Sequence, residues 1–467
     1  MLAAPATAQS AGGQRQVEAA IAQAPAGTRF GIVAVDEAGR EIVAINPDQR
    51  FMPASNTKIV TTAAAYASLT GLDAPDLDGG AAVRRVGEDI LLIGRGDARL
   101  SSAPDCVANC LSQLADAIAK KVSRVRHVIG DDTRFPDERW SAGMSWNNIP
   151  TRYGTAISAL TLDDNEARIE VVPGAAGKPP VLTSIGYYTI VNDAVTGRAG
   201  GTTKIEFSRL PLDRTLRISG VIAADAKPQL LALGIDDPAH YAAWRLMALL
   251  RERGVKVGDV RTRHRPYVTL TDDPASPLAL APEPQAGEAI ARLAPPPLAE
   301  DLRTINKVSQ NLHAELLLRR LGLKDGSGSV AYGVAQIEKM FAAAGIARTT
   351  WDFSDGSGMS SYNRIAPRGM IALLRWIDAQ PWGAAWRATL PVGGVDGTLA
   401  RRFKGTPLEG KVFAKTGSLN QTNALAGYLI AKSGRTLTFA AFANDVPGDR
   451  SATPQMDAAL LAVAVAN

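Results

Sequence analysis

Ser55 and Lys58 are the first residues whose types and spacing could do chemistry. They are three positions apart at a predicted helix start, so both side chains lie on one helix face within reach of each other. A serine hydroxyl is a weak nucleophile until a neighbour takes its proton. A lysine can take it only if its pKa falls from about 10.4 to about 7 or 8, which requires burial and a second cation nearby. Alone, the pattern is more typical of a helix cap with a surface lysine.

Ser309 and Asn311 form a second pattern, Ser-x-Asn, inside a region predicted to be helical. A second hydroxyl could relay a proton between the lysine and a leaving amine, and the amide could hold a substrate carbonyl. By itself this pattern says little, because serine and asparagine cap helices in many proteins.

Lys415, Thr416, Gly417 and Ser418 form a third pattern at the end of a predicted strand. The lysine cation could supply positive potential to Lys58 and to an anionic substrate end, and the two hydroxyls could bind a carboxylate. The glycine lacks a side chain, so a substrate backbone could lie along the strand edge.

The three patterns together are far more specific than any one of them. They occur in the order Ser-x-x-Lys, Ser-x-Asn, Lys-Thr-Gly, each on the kind of element that its chemistry requires. This order matches the serine acyl-transfer signature of penicillin-binding proteins and serine β-lactamases.

Periodicity and turn residues predict the elements that must position these groups. The two ends of the chain are mixed: a hairpin and a helix precede the long middle region, and helices, three strands and a last helix follow it. The predicted strands of the ends are residues 29–35, 40–45, 411–414, 424–431 and 435–443, and the predicted helices are residues 16–22, 54–69, 298–321, 330–344 and 454–465.

The middle of the chain, from about residue 71 to residue 297, has a different character. Short β-like pieces alternate with Gly, Pro and Asp, and one helical stretch at residues 239–253 interrupts them. Proline-rich residues 274–284 and 295–297 predict a linker that returns to the first region. An insertion that splits one domain explains this order better than three consecutive domains.

Composition excludes several classes of protein. The 467 residues are 46% hydrophobic and 21% charged, which is typical of a globular chain and excludes a disordered one. The net charge of +5 is scattered, which argues against nucleic acid as a partner. No apolar stretch approaches the roughly 18 residues of a membrane-spanning helix.

The two cysteines and the N-terminus give information about the cellular compartment in which the protein resides. Cys106 and Cys110 are too few for a zinc site, and they could form either a local disulfide or two buried thiols. Ala6, Thr7 and Ala8 have the small-x-small form of a signal-peptidase site. The segment is interpreted as the tail of a signal peptide or as an alanine-rich terminus, and export would place the protein outside the cytoplasm, in the periplasm or loosely associated with a membrane.

Longer strings carry a resemblance to a known family. The chain resembles the class C low-molecular-mass penicillin-binding proteins, a family of D-alanyl-D-alanine carboxypeptidases and endopeptidases, over nearly its whole length. The strings are PASNTK at 53–58, LIGRGD at 92–97, GDDTRF at 130–135, DGSGMS at 355–360, LPVGGVDGTL at 390–399, AKTGS at 414–418 and LAGY at 425–428.

The resemblance implies an α/β fold: a β-lactamase/transpeptidase-like domain, with an antiparallel sheet flanked by helices, and a large, mainly β insertion. Residues 12–72 plus 296–467 would form the catalytic domain. Residues 73–295 would form the inserted region, with two subdomains whose mutual boundary the sequence leaves open.

The resemblance also implies roles. Ser55 would be the acylated nucleophile, Lys58 the general base, and Ser309 with Asn311 would relay protons and position substrate. The backbone N–H groups of Ser55 and Ser418 would form the oxyanion hole. No metal or cofactor is expected, and the residues expected to bind substrate are Asn311, Lys415, Thr416, Gly417 and Ser418.

Two departures from the family concern the pocket for the substrate's side chain, which Asn148, Ser361 and Leu419 are expected to line. Family members that bind the free end of meso-diaminopimelate look to have an Asp where this chain has Asn148 and an Arg where it has Ser361. Loss of both charges would favour an amidated or otherwise altered stem peptide, unless Arg364 substitutes from a shifted position.

The favoured function is therefore a serine DD-peptidase that acts on peptidoglycan stem peptides and is acylated by β-lactams. A serine β-lactamase is the first alternative, although the chain has no E-x-x-L-N-type segment between the first two motifs. A catalytically silent wall-binding protein of the same fold is the second. The sequence leaves open the balance of carboxypeptidase and endopeptidase activity and the oligomeric state.

Overall fold

The computed structural model describes residues 8–279 and 287–467. Residues 6 and 7 of the small-x-small motif and residues 280–284 of the proline-rich segment lie outside the described residues. The helices are α1 Ala8–Ile21, α2 Thr57–Ser68, α3 Leu111–Ala119, α4 Pro238–Glu252, α5 Leu298–Lys307, α6 Asn311–Gly322, α7 Val330–Ala343, α8 Pro367–Asp378, α9 Gly383–Arg387 and α10 Thr453–Ala466.

The strands fall into two groups along the chain. Those at the two ends are β1 Arg29–Val35, β2 Glu41–Ile45, β15 Trp351–Asp352, β16 Arg364–Ile365, β17 Val412–Leu419, β18 Thr422–Ile430 and β19 Thr436–Asn444. Those in the middle are β3 Ala82–Val86, β4 Asp89–Ile93, β5 Arg124–Asp131, β6 Glu166–Val172, β7 Val181–Ser184, β8 Thr189–Asn192, β9 Val195–Gly197, β10 Lys204–Ser208, β11 Thr215–Ala223, β12 Gln229–Gly234, β13 Lys256–Arg263 and β14 Glu288–Arg292.

The sheet built from the chain ends is antiparallel, in the order β17-β18-β19-β1-β2. Alternate residues of β1 serve opposite faces: Ile32 packs with α1 and α10, while Val33 packs with α2, α6 and α8. Because helices cover both faces of the sheet, the residues of β1 are apolar almost without interruption. This is the predicted α/β architecture, with helices flanking an antiparallel sheet.

The middle of the chain builds its own sheets around a separate apolar cluster. A five-stranded sheet has the order β13-β5-β4-β3-β14, and smaller sheets contain β10-β11-β8 with β9, and β12-β6-β7. The helices α3 and α4 pack into the same cluster. Most buried apolar side chains between residues 81 and 293 thus pack together, and two further clusters cover the sheet of the chain ends. A smaller cluster joins the two parts of the chain, because Phe135 and neighbouring apolar residues of the middle pack against Leu312 and Leu316 of α6.

Two of the predicted elements differ from the structure at the motifs themselves, and α1 begins eight residues before the helix predicted at residues 16–22. The helix predicted over residues 298–321 is broken: α5 ends at Lys307 and α6 begins at Asn311, with Ser309 between them at φ +63°. The side chain of Gln310 accepts a hydrogen bond from the Leu312 N–H and so caps α6. The apolar periodicity continues across the break, which is why the sequence pattern does not reveal it.

The second difference concerns the strand predicted to stop at residue 414. β17 continues to Leu419, so the Lys-Thr-Gly motif lies within the strand and is paired with β18. Its side chains therefore alternate between the sheet faces.

The structure decides the open question about the cysteines. Cys106 and Cys110 form a disulfide immediately before α3. Across residues 8–279 and 287–467, no helix is long and apolar enough to cross a membrane.

Candidate active site

Ser55 lies in a single turn of 3-10 helix, residues Ala54–Asn56, that leads directly into α2. Ala54, just before it, has φ +46°, a conformation that costs a non-glycine residue energy and is often found at functional sites. This turn presents the hydroxyl of Ser55 to the first residues of α2, where the Nζ of Lys58 lies 3.0 Å from the Ser55 Oγ.

Lys58 has no exposed surface, and its amine contacts three oxygen atoms. Its Nζ donates hydrogen bonds to the Asn311 Oδ1 at 2.7 Å and to the Ser357 carbonyl at 2.6 Å, besides lying next to the Ser55 Oγ. A neutral amine has two N–H donors and one lone pair. Two of the neighbours accept the N–H bonds, so the lone pair is left to face the serine hydroxyl.

Burial lowers the pKa of Lys58 to about 7, against the opposing pull of the Asp355 and Glu315 carboxylates. The pKa of Lys415 is also lowered well below its usual range, first by burial and then by the charge of Lys58. The motif pattern predicts that the cation at residue 415 acts on Lys58. Burial is instead the largest cause at both residues, and the repulsion between the two lysines adds to it at Lys415.

The second and third motifs meet at Ser309 and Lys415. The Nζ of Lys415 donates to the Ser309 Oγ at 2.9 Å and to the Thr416 carbonyl at 2.9 Å. The side-chain amide of Asn56 donates to the Lys415 carbonyl at 3.0 Å, which ties the turn that carries Ser55 to β17. The three sequence motifs therefore converge on one site.

β17 is the outermost strand of its sheet at the side that faces this site. Ser418 is exposed, and the Thr416 hydroxyl lies 2.7 Å from that of Thr398. A Cβ at Gly417 would lie 2.6 Å from the Pro53 carbonyl oxygen, so only glycine fits there without a shift. The open edge can accept an extended peptide backbone by strand addition.

Two buried carboxylates beneath Lys58 are not indicated by the three motifs. Glu315 accepts hydrogen bonds from the backbone N–H groups of Gly356 at 3.0 Å and Ser357 at 2.9 Å. Burial, together with the nearby Asp355, raises the pKa of Glu315 to about 6. Its position four residues after Asn311, on the same face of α6, is the signal that could have found it.

Asp355 is the second of these carboxylates, and its turn contacts the segment that carries Ser55. The carboxylate accepts hydrogen bonds from the N–H groups of Gly358 at 2.9 Å and Ser360 at 2.6 Å, which closes a tight turn. Gly358 has φ +91°, and a Cβ there would lie 1.9 Å from the Ala54 carbonyl oxygen. Residues 355–358 therefore form a tight turn that also packs against the segment carrying Ser55.

The middle region of the chain also reaches the site. The side-chain amide of Asn311 donates to the Tyr153 carbonyl at 3.0 Å, and the Ser361 N–H donates to the Gly143 carbonyl at 2.9 Å. Trp146 and Tyr153 are 65% and 62% exposed on this segment. Residues 143–153 therefore form one wall beside the catalytic motifs.

The three residues expected to line a side-chain pocket lie on three different segments. Asn148 belongs to the turn Trp146–Asn148, Ser361 to the loop after residue 360, and Leu419 to the end of β17. Arg364 donates to the Ser361 carbonyl at 2.5 Å, so its guanidinium is anchored at the same rim.

His313, two residues after Asn311 on α6, is held between two carboxylates. It lies 2.9 Å from the Asp164 carboxylate and 3.2 Å from that of Asp301, and these partners raise its pKa to about 9 against the cost of burial. Within the part of the chain that the structure describes, no group of three or more His, Cys, Asp or Glu side chains could hold a metal ion.

Comparison with known proteins supplies an independent line of evidence. Residues 13–465 match the model of the D-Ala-D-Ala carboxypeptidase 3 (S13) family. The chain is 33% identical to a D-alanyl-D-alanine carboxypeptidase of Actinomadura sp. (strain R39), over 92% of this chain and 82% of that protein. It is 24% identical to the D-alanyl-D-alanine carboxypeptidase DacB of Haemophilus influenzae, over 90% of this chain and 86% of that protein.

A solved structure shares the fold. The crystal structure of penicillin binding protein 4 from Haemophilus influenzae superimposes with a TM-score of 0.77 at 22% identity, over 95% of this chain and 97% of that chain. The helix-flanked antiparallel sheet and the sheets of the middle region thus belong to an architecture already observed.

Proposed function

The chain belongs to the D-Ala-D-Ala carboxypeptidase 3 (S13) family, and from that premise we propose which residues perform the reaction and on which substrate. It is a serine-type D-Ala-D-Ala carboxypeptidase, a hydrolase that removes the last residue of a peptide ending in D-Ala-D-Ala. The substrate that we propose is the stem peptide of peptidoglycan.

Acylation begins with Ser55. The neutral amine of Lys58 accepts the hydroxyl proton as the Ser55 Oγ attacks the carbonyl carbon of the penultimate D-Ala. The negative charge that develops on the carbonyl oxygen is stabilised by the backbone N–H groups of Ser55 and Ser418. The distance of 3.0 Å between the Lys58 Nζ and the Ser55 Oγ supports this step.

The leaving group is the amine of the terminal D-Ala. Its nitrogen takes a proton through the Ser309 hydroxyl as the C–N bond breaks, and Lys58 returns the proton that it accepted. The terminal carboxylate is bound by the hydroxyls of Thr416 and Ser418 beside Lys415. That carboxylate adds a negative charge next to the buried amine of Lys415 and so favours its protonated form.

Deacylation completes the cycle when water attacks the acyl-Ser55 ester and Lys58 takes a proton from the water, then returns it to the Ser55 Oγ as the ester C–O bond breaks. Asn311, held between the Lys58 amine and the Tyr153 carbonyl, keeps its side chain in one orientation toward the substrate. The open edge of β17 leaves room for a longer chain after the scissile bond, which supports additional cleavage of cross-link peptide bonds.

The side chain of the third stem residue is proposed to lie between Asn148, Ser361 and Leu419. Neither Asn148 nor Ser361 carries a charge, and the guanidinium of Arg364 is bound to a backbone carbonyl. A pocket lined by these three residues suits an amidated or otherwise neutral side-chain end better than a free zwitterion.

We also propose β-lactams as covalent inhibitors and a location outside the cytoplasm. A second structure of the Haemophilus influenzae relative, with 21% identity to this chain, is described as a complex with a novel β-lactam. The disulfide between Cys106 and Cys110 suits an oxidising compartment.

The proposed division of the chain assigns residues 12–72 and 296–467 to the catalytic domain and residues 73–295 to the inserted region. The separate apolar cluster of the middle sheets supports this division.

The single observation that carries the residue assignment is that two contacts, Lys58 with Ser55 at 3.0 Å and Lys415 with Ser309 at 2.9 Å, lie side by side. The Asn56 amide, next to Ser55, joins them through its hydrogen bond to the Lys415 carbonyl at 3.0 Å. Mass spectrometry after incubation with benzylpenicillin tests the assignment. We expect a stoichiometric adduct on Ser55 that is absent in Ser55→Ala and retained in Ser184→Ala, a change of an exposed serine on β7.

Other outcomes favour the alternatives. An adduct that persists in Ser55→Ala would contradict the assignment. Rapid turnover of nitrocefin in place of slow trapping would favour a β-lactamase, and failure to release D-Ala from a D-Ala-D-Ala tripeptide would indicate a silent protein of this fold.

A further inference from the structure

Glu315 occupies a buried position that no step above uses. Its side chain projects from α6 one turn after Asn311 and is only 5% exposed. An ionised carboxylate at such a position is costly unless hydrogen bonds or cations compensate for its lost hydration. Glu315 receives part of that compensation from Arg319 on its own helix and from the Ser141 hydroxyl, and the rest from the segment whose carbonyl binds Lys58.

The hydrogen bonds of Glu315 reach Lys58 through a single residue. One oxygen of its carboxylate accepts both the Gly356 and the Ser357 N–H, at 3.0 and 2.9 Å. The carbonyl of Ser357 then accepts a hydrogen bond from the Lys58 Nζ at 2.6 Å. Glu315 therefore fixes the backbone that orients the amine, and through it the direction of the lone pair that faces Ser55.

The buried side chains around Lys58 include three that can carry a positive charge and two that can carry a negative charge. The buried cations are Lys58, Lys415 and Arg319, each at most 1% exposed, and the buried anions are Glu315 and Asp355. Arg319 lies 3.6 Å from Glu315, and its guanidinium contributes a positive charge. By formal charge, two carboxylates and one guanidinium leave one negative charge, which one protonated lysine balances, so the amine of the other lysine can act as a base.

We propose that Glu315 is a positioning residue of the acylation machinery. It anchors the segment whose Ser357 carbonyl orients the Lys58 amine, and its negative charge sets how many protons the two buried lysines hold. The inference rests on the proposed function, because it concerns how the base of that reaction is prepared.

The substitution Glu315→Gln separates the two parts of the role. Glutamine keeps the length of the side chain and an acceptor oxygen for the N–H groups, but it removes the negative charge that favours a protonated lysine. Loss of that charge lowers the pKa of Lys58. We expect the acidic limb of the pH profile of kcat/KM to move down by about one pH unit, while KM for the peptide changes less than twofold.

Two further variants make the test independent of simple damage to the fold. Glu315→Asp keeps the charge but shortens the reach, so kcat should fall on the order of tenfold with the acidic limb unmoved. Asp97→Asn is the matched control, because Asp97 is also a buried carboxylate whose pKa is raised by burial to about 6, and it accepts hydrogen bonds from Asn109 and the Arg99 N–H in the middle region. Its pH profile should coincide with that of the unmodified protein.

Failure of this inference is distinguishable from failure of the proposed function. If the unmodified protein neither forms a penicillin adduct on Ser55 nor releases D-Ala, the proposed function fails. If the unmodified protein does both, two results overturn the role of Glu315: an acidic limb in Glu315→Gln that coincides with the unmodified profile, or an acidic limb that moves in Glu315→Asp.

Discussion

At the scale of single residues, the site depends on the cost of burying charge. Lys58 and Lys415 both have no exposed surface, and a lysine in that environment loses its proton far more readily than in water. The carboxylates of Asp355 and Glu315 oppose this effect at Lys58, so its pKa stays at about 7. Protein environments that hold a base near the working pH are the ones that make it effective.

The pH dependence of acylation follows from this pKa. Lys58 must be neutral to accept the Ser55 proton, so the acylation rate should be low at acidic pH and rise with a midpoint at the Lys58 pKa of about 7. Lys58→Arg keeps a cation that does not lose its proton, and we expect the rate to fall on the order of 10²- to 10⁴-fold at every pH.

The measurement is the second-order rate constant for acylation by a fluorescent penicillin, taken from mildly acidic to mildly alkaline pH. Lys120→Arg, a change near the end of α3, serves as the control for the exchange of lysine for arginine. A rate that stays constant across this range, or a fully active Lys58→Arg, would rule out Lys58 as the base.

At the scale of elements, the break between α5 and α6 puts a hydroxyl where a continuous helix could not. Ser309 has φ +63°, a conformation that costs L-residues other than glycine roughly 1–2 kcal/mol. This backbone turns the Ser309 Oγ toward the Lys415 Nζ, 2.9 Å away. Strain of this kind persists where the surrounding structure supports it, and it is common at functional sites.

Paired substitutions at Ser309 separate the hydroxyl from the backbone. Ser309→Gly and Ser309→Ala both remove the contact with Lys415, so both should lose acylation rate on the order of 10²-fold. Glycine adopts a positive φ without strain, so Ser309→Gly should be more stable than Ser309→Ala by about 1 kcal/mol.

Urea unfolding and acylation kinetics on the same samples test both expectations. An active Ser309→Gly variant would mean that the break matters only as a backbone conformation, and that the hydroxyl takes no part in proton transfer.

At the scale of the whole molecule, the middle region completes the site that the chain ends begin. The Tyr153 carbonyl accepts a hydrogen bond from the Asn311 side-chain amide, and the backbone of Met144 forms a β-bridge with that of Ser360. His313, on α6, is held between Asp164 of the middle region and Asp301 of α5. Because of these contacts, the position of residues 143–153 depends on how the middle region packs against the domain formed by the chain ends.

Gly143 offers a test of that docking. It has φ +79°, and a Cβ there would lie 2.7 Å from both the Ser360 Oγ and the Tyr362 ring. Gly143→Ala should displace the wall beside the active site and reduce kcat/KM for a peptide on the order of 10- to 100-fold.

Gly177 is the matched control, because it has the same φ of +79° but no heavy atom within 4 Å of the place that a Cβ would occupy. Gly177→Ala should lose about 1 kcal/mol of stability, because alanine is strained at this positive φ, and it should keep full activity. Equal activity of the two variants would show that this wall does not help to position the substrate.

Local patterns in the sequence were enough to identify the chemical groups and most of the elements. The three motifs, the hairpin of β1 and β2, the strands β18 and β19 and the division into mixed ends and a β-rich middle depend on spacing and on side-chain alternation. Spacing and alternation depend only on residues that are close together in the sequence, so they can be recognised without knowing the fold.

Only the tertiary structure decided how those groups work. The break at Ser309, the continuation of β17 through Lys415, the pairing of Cys106 with Cys110 and the place of Glu315 all depend on how the folded chain packs around them. The state of Lys58 depends on this packing most, because its pKa is set by the water excluded when α2, α6, β17 and the turn at Asp355 come together. Spacing alone can bring a lysine near a serine, but burial by the rest of the molecule is what lowers the pKa of that lysine to about 7.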